Sequence, residues 1–301
     1  MKATSAFPIH GTHAKKMERN MKKLFIRTVG AFLLFALSAV AWSADTILTW
    51  HGHAAFTIVT PNGKMLMIDP WLKNPVNPNA KNDKGPLAAV TKVDYILITH
   101  GHSDHIGDSV EIAKKTGARL VTNADLGKNM AKFLDYPKQQ MGFDTLFNIG
   151  GEIAIADGEV TVAMVPAVHS SGMDDPSADE EEPEVVYGGN PAGFVIKIKN
   201  GPTIYHSGDT AYFTDMALIG EHKIDVALIN IGGHFGMEPA MAARAVKAVH
   251  PKLVIPQHYG TFPMLTQNPK EFAERVGKMV IRVKIMKPGT SVKFKGKKMM
   301  S

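Results

Sequence analysis

From Asp45 onward, short apolar runs alternate with polar turns. Thr46–Trp50, Phe56–Thr60 and Lys64–Ile68 each predict a strand, and Pro61-Asn62-Gly63 between the last two supplies turn chemistry. A polar stretch rich in Pro and Asn runs from Asp69-Pro70-Trp71 to Pro86 and reads as a loop. Tyr95–Thr99 is an apolar, β-branched run of buried-strand character, and Ile106–Lys115 then carries helical periodicity. Arg119–Thr122 and Ala124–Leu134 repeat the strand-then-helix order. A second half starts near Phe147 with strands at Glu152–Ala156 and Glu159–Val165 around Asp157-Gly158, a strong hairpin signal. Phe194–Lys199 and Thr203–His206, joined at Asn200-Gly201, form a second hairpin. Val226–Asn230 and Leu253–Pro256 are strands, Pro239–Val249 and Pro269–Val276 helices, and a short strand pair ends the chain. Strand–helix units preceded by hairpins in both halves predict an α+β fold: two mixed sheets face to face with helices outside, in one domain over 45–301.

Residues 1–44 differ in kind. Lys22, Lys23 and Arg27 precede an apolar run from Val29 to Trp42, and small residues follow at Ser38, Ala39, Ala41, Ser43 and Ala44. This is the plan of a cleaved secretory signal, with cleavage expected between Ala41 and Asp45 and Met17 and Met21 as further candidate starts. The run is shorter than the ~20 residues of a membrane span, so no stable span is expected after cleavage. The expected location is periplasmic or secreted.

Charge changes meaning once that segment is set aside. The whole chain is formally +6, yet residues 1–44 hold seven Lys/Arg against one Glu, so the remainder is neutral. That gives no support for a nucleic-acid partner, which would require a basic surface. The basic end at Lys293, Lys295, Lys297 and Lys298 reads as a solvated strand. The chain has no cysteine, which excludes disulfides, thiolate ligands and a cysteine nucleophile. Any metal site is therefore built from nitrogen and oxygen. The acidic, proline-containing stretch 174–184 follows His169 and reads as a solvated loop, with a lid over the site as the sharper alternative.

The densest chemistry is His100-Gly101-His102-Ser103-Asp104-His105, four potential ligands within six residues directly after an apolar strand. Neutral imidazoles suit zinc, iron and manganese, and a carboxylate adds hard oxygen and charge. The pattern repeats downstream. His169 closes Val162–Val168, Asp209 follows Tyr205-His206-Ser207-Gly208, and His258 follows Val254–Gln257. Each is a ligand-type residue just past an apolar strand. Together they make five histidines and two aspartates, enough for two metals.

These motifs resemble those of metallo-β-lactamase-fold hydrolases, whose signature is His-x-His-x-Asp-His followed by downstream His, Asp and His. Thr49-Trp50-His51-Gly52-His53-Ala54-Ala55-Phe56, Gly232-Gly233-His234-Phe235 and Pro256-Gln257-His258-Tyr259-Gly260-Thr261-Phe262 are most similar to the subgroup related to ascorbate-6-phosphate lactonase and N-acylphosphatidylethanolamine phospholipase D. The resemblance implies a four-layer αβ/βα sandwich with its site at the sheet edges. It implies a first ion on His100, His102 and His169, a second on Asp104, His105 and His258, and Asp209 bridging both. The implied cofactors are two divalent ions, zinc first, with manganese or iron fitting the same donors. Asp69 then orients the histidine loop rather than binding metal.

The implied mechanism is hydrolysis of an ester, lactone or phosphodiester, a small-molecule substrate, by a metal-bridging hydroxide. Asp104 is the expected hydrogen-bond acceptor for it, and His234 the candidate acid or substrate contact, with Tyr259 and His53 behind it. His51 and His206 are expected either to support the ligands from behind or to be structural, and His222 and His250 to be surface or helix-end residues. The subgroup commonly has Thr-Met-Gly after the Gly-His-Phe element, whereas Gly236-Met237-Glu238 stands here, so substrate identity does not carry across. Competing readings are a di-iron redox enzyme on the same fold, a β-lactamase, and a non-catalytic binding protein. Nothing in the sequence sets the oligomeric state.

Overall fold

The computed structural model describes residues 45–300 apart from Glu180 and Pro183. The targeting segment expected over 1–44 lies outside the described residues. Among those described, no helix is long and apolar enough to cross a membrane.

In chain order the first half forms β1 (Thr46–Trp50), β2 (Phe56–Val59), β3 (Met65–Ile68), β4 (Tyr95–Leu97), helix α1 (Ser103–Ile106), helix α2 (Ser109–Thr116), β5 (Arg119–Asn123), helix α3 (Ala124–Phe133) and β6 (Leu146–Phe147). The second half adds β7 (Glu152–Ile155), β8 (Val160–Pro166), β9 (Gly172–Asp174), β10 (Val185–Tyr187), β11 (Ala192–Ile198), β12 (Thr203–His206), α4 (Met216–Gly220), β13 (Val226–Asn230), α5 (Pro239–Val249), β14 (Leu253–Gln257), α6 (Lys270–Val276), β15 (Arg282–Val283), β16 (Ser291–Lys295) and β17 (Lys298–Met299). They assemble as an eight-stranded sheet, β17-β16-β1-β2-β3-β4-β5-β6, and a seven-stranded sheet, β15-β14-β13-β12-β11-β8-β7. This is the expected α+β sandwich.

Strand alternation decides what each sheet buries. Leu66, Ile68, Leu97 and Val121 of the first sheet share a core with Phe194, Ile204, Leu228 and Ile255 of the second. Their neighbours Met67, Ile96, Ile98 and Leu120 point the other way, into a second core with Ile112, Leu126 and Met130 from α2 and α3. Successive strand residues face opposite sides, so one run of apolar residues serves both layers.

Two features depart from the sequence reading. The helix expected over Ile106–Lys115 is broken at Gly107, whose φ is +47°. A Cβ there would come within 2.5 Å of Trp71 Cα, so the chain must turn at a glycine between α1 and α2. Asp104 and His105 thus ride on their own single helical turn. The second lies at the base of the 174–184 loop: Asp174 pairs with Val185 and Gly172 with Tyr187, a two-stranded ribbon that the loop reading did not include.

Candidate metal centre

Strands β3, β4 and β5 run parallel in one sheet, and β12, β13 and β14 run parallel in the other. Their C-terminal ends open at one edge of the sandwich. Asp69 follows β3, the His100–His105 segment β4, Asp209 β12 and His258 β14. Strand β8 is antiparallel to β11, which is antiparallel to β12, so His169 emerges at the same edge. Convergence comes from strand direction, because polar residues past strand ends have nowhere else to go.

The residues expected as ligands meet in three overlapping groups whose ligand atoms lie within 4.8 Å of one another. His100, His102 and His169 make one group, and Asp104, His105 and His258 another that also takes in His53. A third joins His100, His105 and Asp209 across the first two. His258 Nε2 stands 3.0 Å from Asp209 Oδ2, His105 Nε2 3.3 Å and His169 Nε2 3.7 Å. His100 Nε2 lies 3.0 Å from His102 Nδ1. Two atoms bound to one zinc at ~2.05 Å in a tetrahedron stand roughly 3.3 Å apart, so these spacings suit donors sharing an ion.

Satisfaction of the same atoms points the same way. His105 Nε2, both nitrogens of His258 and Asp209 Oδ1 are buried without a hydrogen-bond partner. The 3.0 Å approach of His258 to Asp209 is close enough for a hydrogen bond but lacks its direction. An unpartnered buried polar atom costs roughly 1–3 kcal/mol, so several in one pocket, all of ligand type, fit a cation.

Asp69 sets which nitrogens face inward. It is fully buried and accepts from Thr99 N–H at 2.9 Å, from the Thr99 hydroxyl at 2.7 Å and from His105 Nδ1–H at 2.8 Å. Having given its proton to Asp69, the Thr99 hydroxyl can only accept, and His100 Nδ1–H is its donor at 2.9 Å. One carboxylate therefore fixes the Nδ1 protons of both His100 and His105 and leaves their Nε2 atoms as the ones aimed at the centre.

Electrostatics divide the histidines. Burial, then the neighbouring His105, holds His100 well below the ordinary imidazole range. Burial likewise takes His53 down to about 4, with His258 adding to it. For His105 and His258 burial opposes charge, yet Asp209 and Asp104 raise His105 well above its usual value and His258 to about 9. Burial would keep Asp209 neutral, but His258 and His105 hold its carboxyl well below the carboxylate range. Buried carboxylates here demand positive charge, and a divalent ion supplies it by displacing those imidazole protons.

His53, in sequence a runner-up to His234 for the acid or substrate-contact role, stands in the structure within the ligand group of Asp104, His105 and His258. It is buried, donates Nε2–H to Asp104 Oδ2 at 2.8 Å, and its Nδ1 meets the Thr261 hydroxyl at 2.9 Å. Its ring lies 3.8 Å from that of His258, and Trp71 and Phe262 wall it edge-on. The signal was available, because Gly52-His53 also follows an apolar strand, β1. Replacing His53 by Ala is expected to weaken metal binding about 10–100-fold. Titration against a chromophoric chelator reads the affinity; equal values in both proteins would refute the contact's importance.

Other histidines fall outside. His206 is buried with Nε2 donating to Ala54 O at 3.0 Å and Nδ1 accepting from Gly208 N–H at 3.1 Å, so it ties β12 to the turn after β1. His51 bonds Thr57 Oγ1 at 2.7 Å, and His250 is exposed at the end of α5. His234 is exposed, with its ring 4.5 Å from that of Phe235, and it joins none of the ligand groups. Phe235 itself does line the cleft over the centre, a space of about 370 Å³ walled also by His102, Asp104, His169, Asp174 and Phe262. Tyr259 is buried against Trp50, with ring centroids 5.3 Å apart.

Two mixed sheets, outer helices and a His/Asp cluster at one edge define a metallo-β-lactamase fold. Residues 64–259 match the Beta-lactamase superfamily domain. The chain is 50% identical over 268 residues to a UPF0173 metal-dependent hydrolase of Thermodesulfovibrio yellowstonii, covering 89% of this chain and 96% of that one. A UPF0173 metal-dependent hydrolase of Anaeromyxobacter dehalogenans is also 50% identical, over 83% of this chain and 87% of its own. The chain belongs to the UPF0173 metal-dependent hydrolase family. Among solved structures it is similar to Igni18, a metallo hydrolase from Ignicoccus hospitalis, with a TM-score of 0.69 and 34% identity over 83% of this chain and 99% of that one.

Proposed function

We propose that this metal-dependent hydrolase works with two divalent ions and opens an uncharged ester or lactone. His100, His102 and His169 would hold one ion, Asp104, His105 and His258 the other, with Asp209 between them. The observation that carries the reading is the third donor group, His100, His105 and Asp209, which spans the other two. When bound, such ions bring the pKa of a coordinated water towards ~7 and polarise the bond to be broken.

The chain's own residues supply aim and proton handling. Asp104 lines the cleft, and its Oδ2 already takes the His53 proton at 2.8 Å. The carboxylate would accept a hydrogen bond from the attacking water and aim it. His234, beside the cleft-lining Phe235, would contact the leaving group at the rim. Phe235 and Phe262 exclude water from two sides. No Lys or Arg is among the described residues lining the cleft, and Asp174 adds a carboxylate. Phosphoryl groups are ordinarily met by Arg or Lys, so this lining favours a neutral carbonyl substrate over a phosphate ester.

Elemental analysis of natively purified protein is expected to find two ions per chain, zinc foremost. Chelation followed by dialysis should abolish hydrolysis across an ester and lactone panel and lower the melting temperature, and readdition of zinc, manganese or iron should restore both. A single ion per chain would reject the dinuclear reading. Full activity after complete chelation would reject metal dependence of the reaction itself.

A further inference from the structure

Ser103 and Asp174 form a ridge with two sides. One side faces the metal cleft. The other faces a separate cleft of about 450 Å³ whose walls are Ile106, Val110, Phe133, Leu134, Met173 and Pro176. The sequence builds this second space with the same device that sets the ligands. Gly107 breaks the chain between α1, which carries Asp104 and His105, and α2, which carries Val110. The ribbon β9–β10 brings Met173 and Asp174 over the gap, and the end of α3 closes it with Phe133 and Leu134. The charged groups at its margin are Asp174 and Asp135, and Asp135 is paired with Lys114 at 2.7 Å. The interior offers shape and apolar surface, at a volume usual for small-molecule sites.

We propose that this second cleft receives an apolar arm of the substrate, an acyl or aryl group joined to the carbonyl that reacts in the metal cleft. The assignment rests on the hydrolase reading above and deepens it by naming the substrate class, medium-chain or aryl esters and lactones. Two clefts divided by a single shared ridge can be spanned by one molecule, its reacting group on the polar side and its hydrocarbon on the other. In the reaction the acyl C–O bond breaks. The water oxygen joins the acyl carbon, a water proton goes to the departing alkoxide, and the carboxylic acid keeps the apolar arm. Desolvation of each methylene entering the cleft is worth roughly a four-fold gain in kcat/KM.

The test compares the metal-loaded protein with its Val110→Trp and Leu134→Trp variants on p-nitrophenyl acetate, butyrate, hexanoate and octanoate. Both side chains are only partly buried, so the indole can occupy the cleft. Melting temperatures confirm that each variant folds. The wild type is expected to climb in kcat/KM with chain length, and each tryptophan to lower the octanoate-to-acetate ratio at least ten-fold. A flat wild-type profile, or a profile that both variants leave unchanged, overturns the subsite. If no ester in the series turns over, it is the hydrolytic reading that fails for esters, and calorimetry with 1-octanol tests the cleft by itself. Saturable binding weakened ten-fold or more by either substitution upholds it; no saturable binding, or binding that both variants retain, overturns it.

Discussion

Asp209→Ala will purify with at least one metal equivalent fewer per chain and will lose its hydrolase activity. The reason is geometric. Asp209 is almost fully buried, and its Oδ2 stands within 3.0–3.7 Å of Nε2 atoms from His258, His105 and His169, drawn from both proposed ion sites. Two cations held ~3.5–4 Å apart repel, and a shared carboxylate offsets that repulsion. Removing one unit of negative charge about 4 Å from a cation forfeits roughly 4 kcal/mol per unit charge at a protein-like dielectric, close to a thousand-fold in affinity. Alanine also leaves Asp104 as the one carboxylate remaining in the ligand groups to balance a bound cation. Metal content by elemental analysis and rates at saturating added metal are the two readouts. Undiminished loading together with undiminished rate would remove Asp209 from the centre.

Asp69→Asn should leave the fold intact yet weaken metal binding about 10–100-fold, although Asp69 is proposed to touch no ion. The carboxylate takes three protons, two from Thr99 and one from His105 Nδ1. An amide of the same shape accepts on one atom and donates on the other. If its NH2 faces His105, the imidazole must accept at Nδ1, and its own proton moves to Nε2, the atom meant for metal. If the NH2 takes the Oδ1 place instead, it meets the Thr99 N–H donor to donor, and that buried hydrogen bond is lost. The first orientation also reverses the hydroxyl relay to His100, because the Thr99 hydroxyl shares Oδ2 with His105, so a bound ion is opposed either by the wrong tautomers or by an unpaired buried donor. Alanine is the harsher change, because the buried Thr99 N–H is left unpaired at about 1–3 kcal/mol. Competition with a chromophoric chelator measures the affinity, and thermal melting separates it from stability. Wild-type affinity in the asparagine protein would show that the tautomers are fixed by something other than Asp69.

Much of this arrangement could be read along the chain, and the reason differs from element to element. Tyr95–Thr99 announces a strand through its own composition, though pairing ends at Leu97 because Thr99 gives its N–H to Asp69 instead. The Asp157-Gly158 hairpin is local chemistry too, with Asp157 in the left-handed region at φ 55°. The break at Gly107 was not legible. Its neighbours Ile106, Val110 and Ala113 keep helical spacing, and only the backbone of Trp71, distant in sequence, forbids anything larger than hydrogen there. His53 was visible as a histidine after a strand, but its hydrogen bond to Asp104 spans 51 positions and depends on Thr261 from the far end of the chain.

The sequence by itself determined the donor chemistry, nitrogen and oxygen without sulfur, and the position of each donor just beyond an apolar strand. Those are properties of residue type and of a few neighbours, so they survive being read in one dimension. Tertiary structure decided the distances. Strand β16 returns from the C-terminal end to pair with β1, and the parallel strands of both sheets point their ends to one edge. Packing of the two sheets across a shared apolar core then fixes how far His100 stands from Asp209 and His258. It also decided that Asp69 faces inward to orient two imidazoles and that a second, apolar cleft lies across the Ser103–Asp174 ridge. Such spacings are set by contacts between residues far apart in the chain, and no local pattern encodes them.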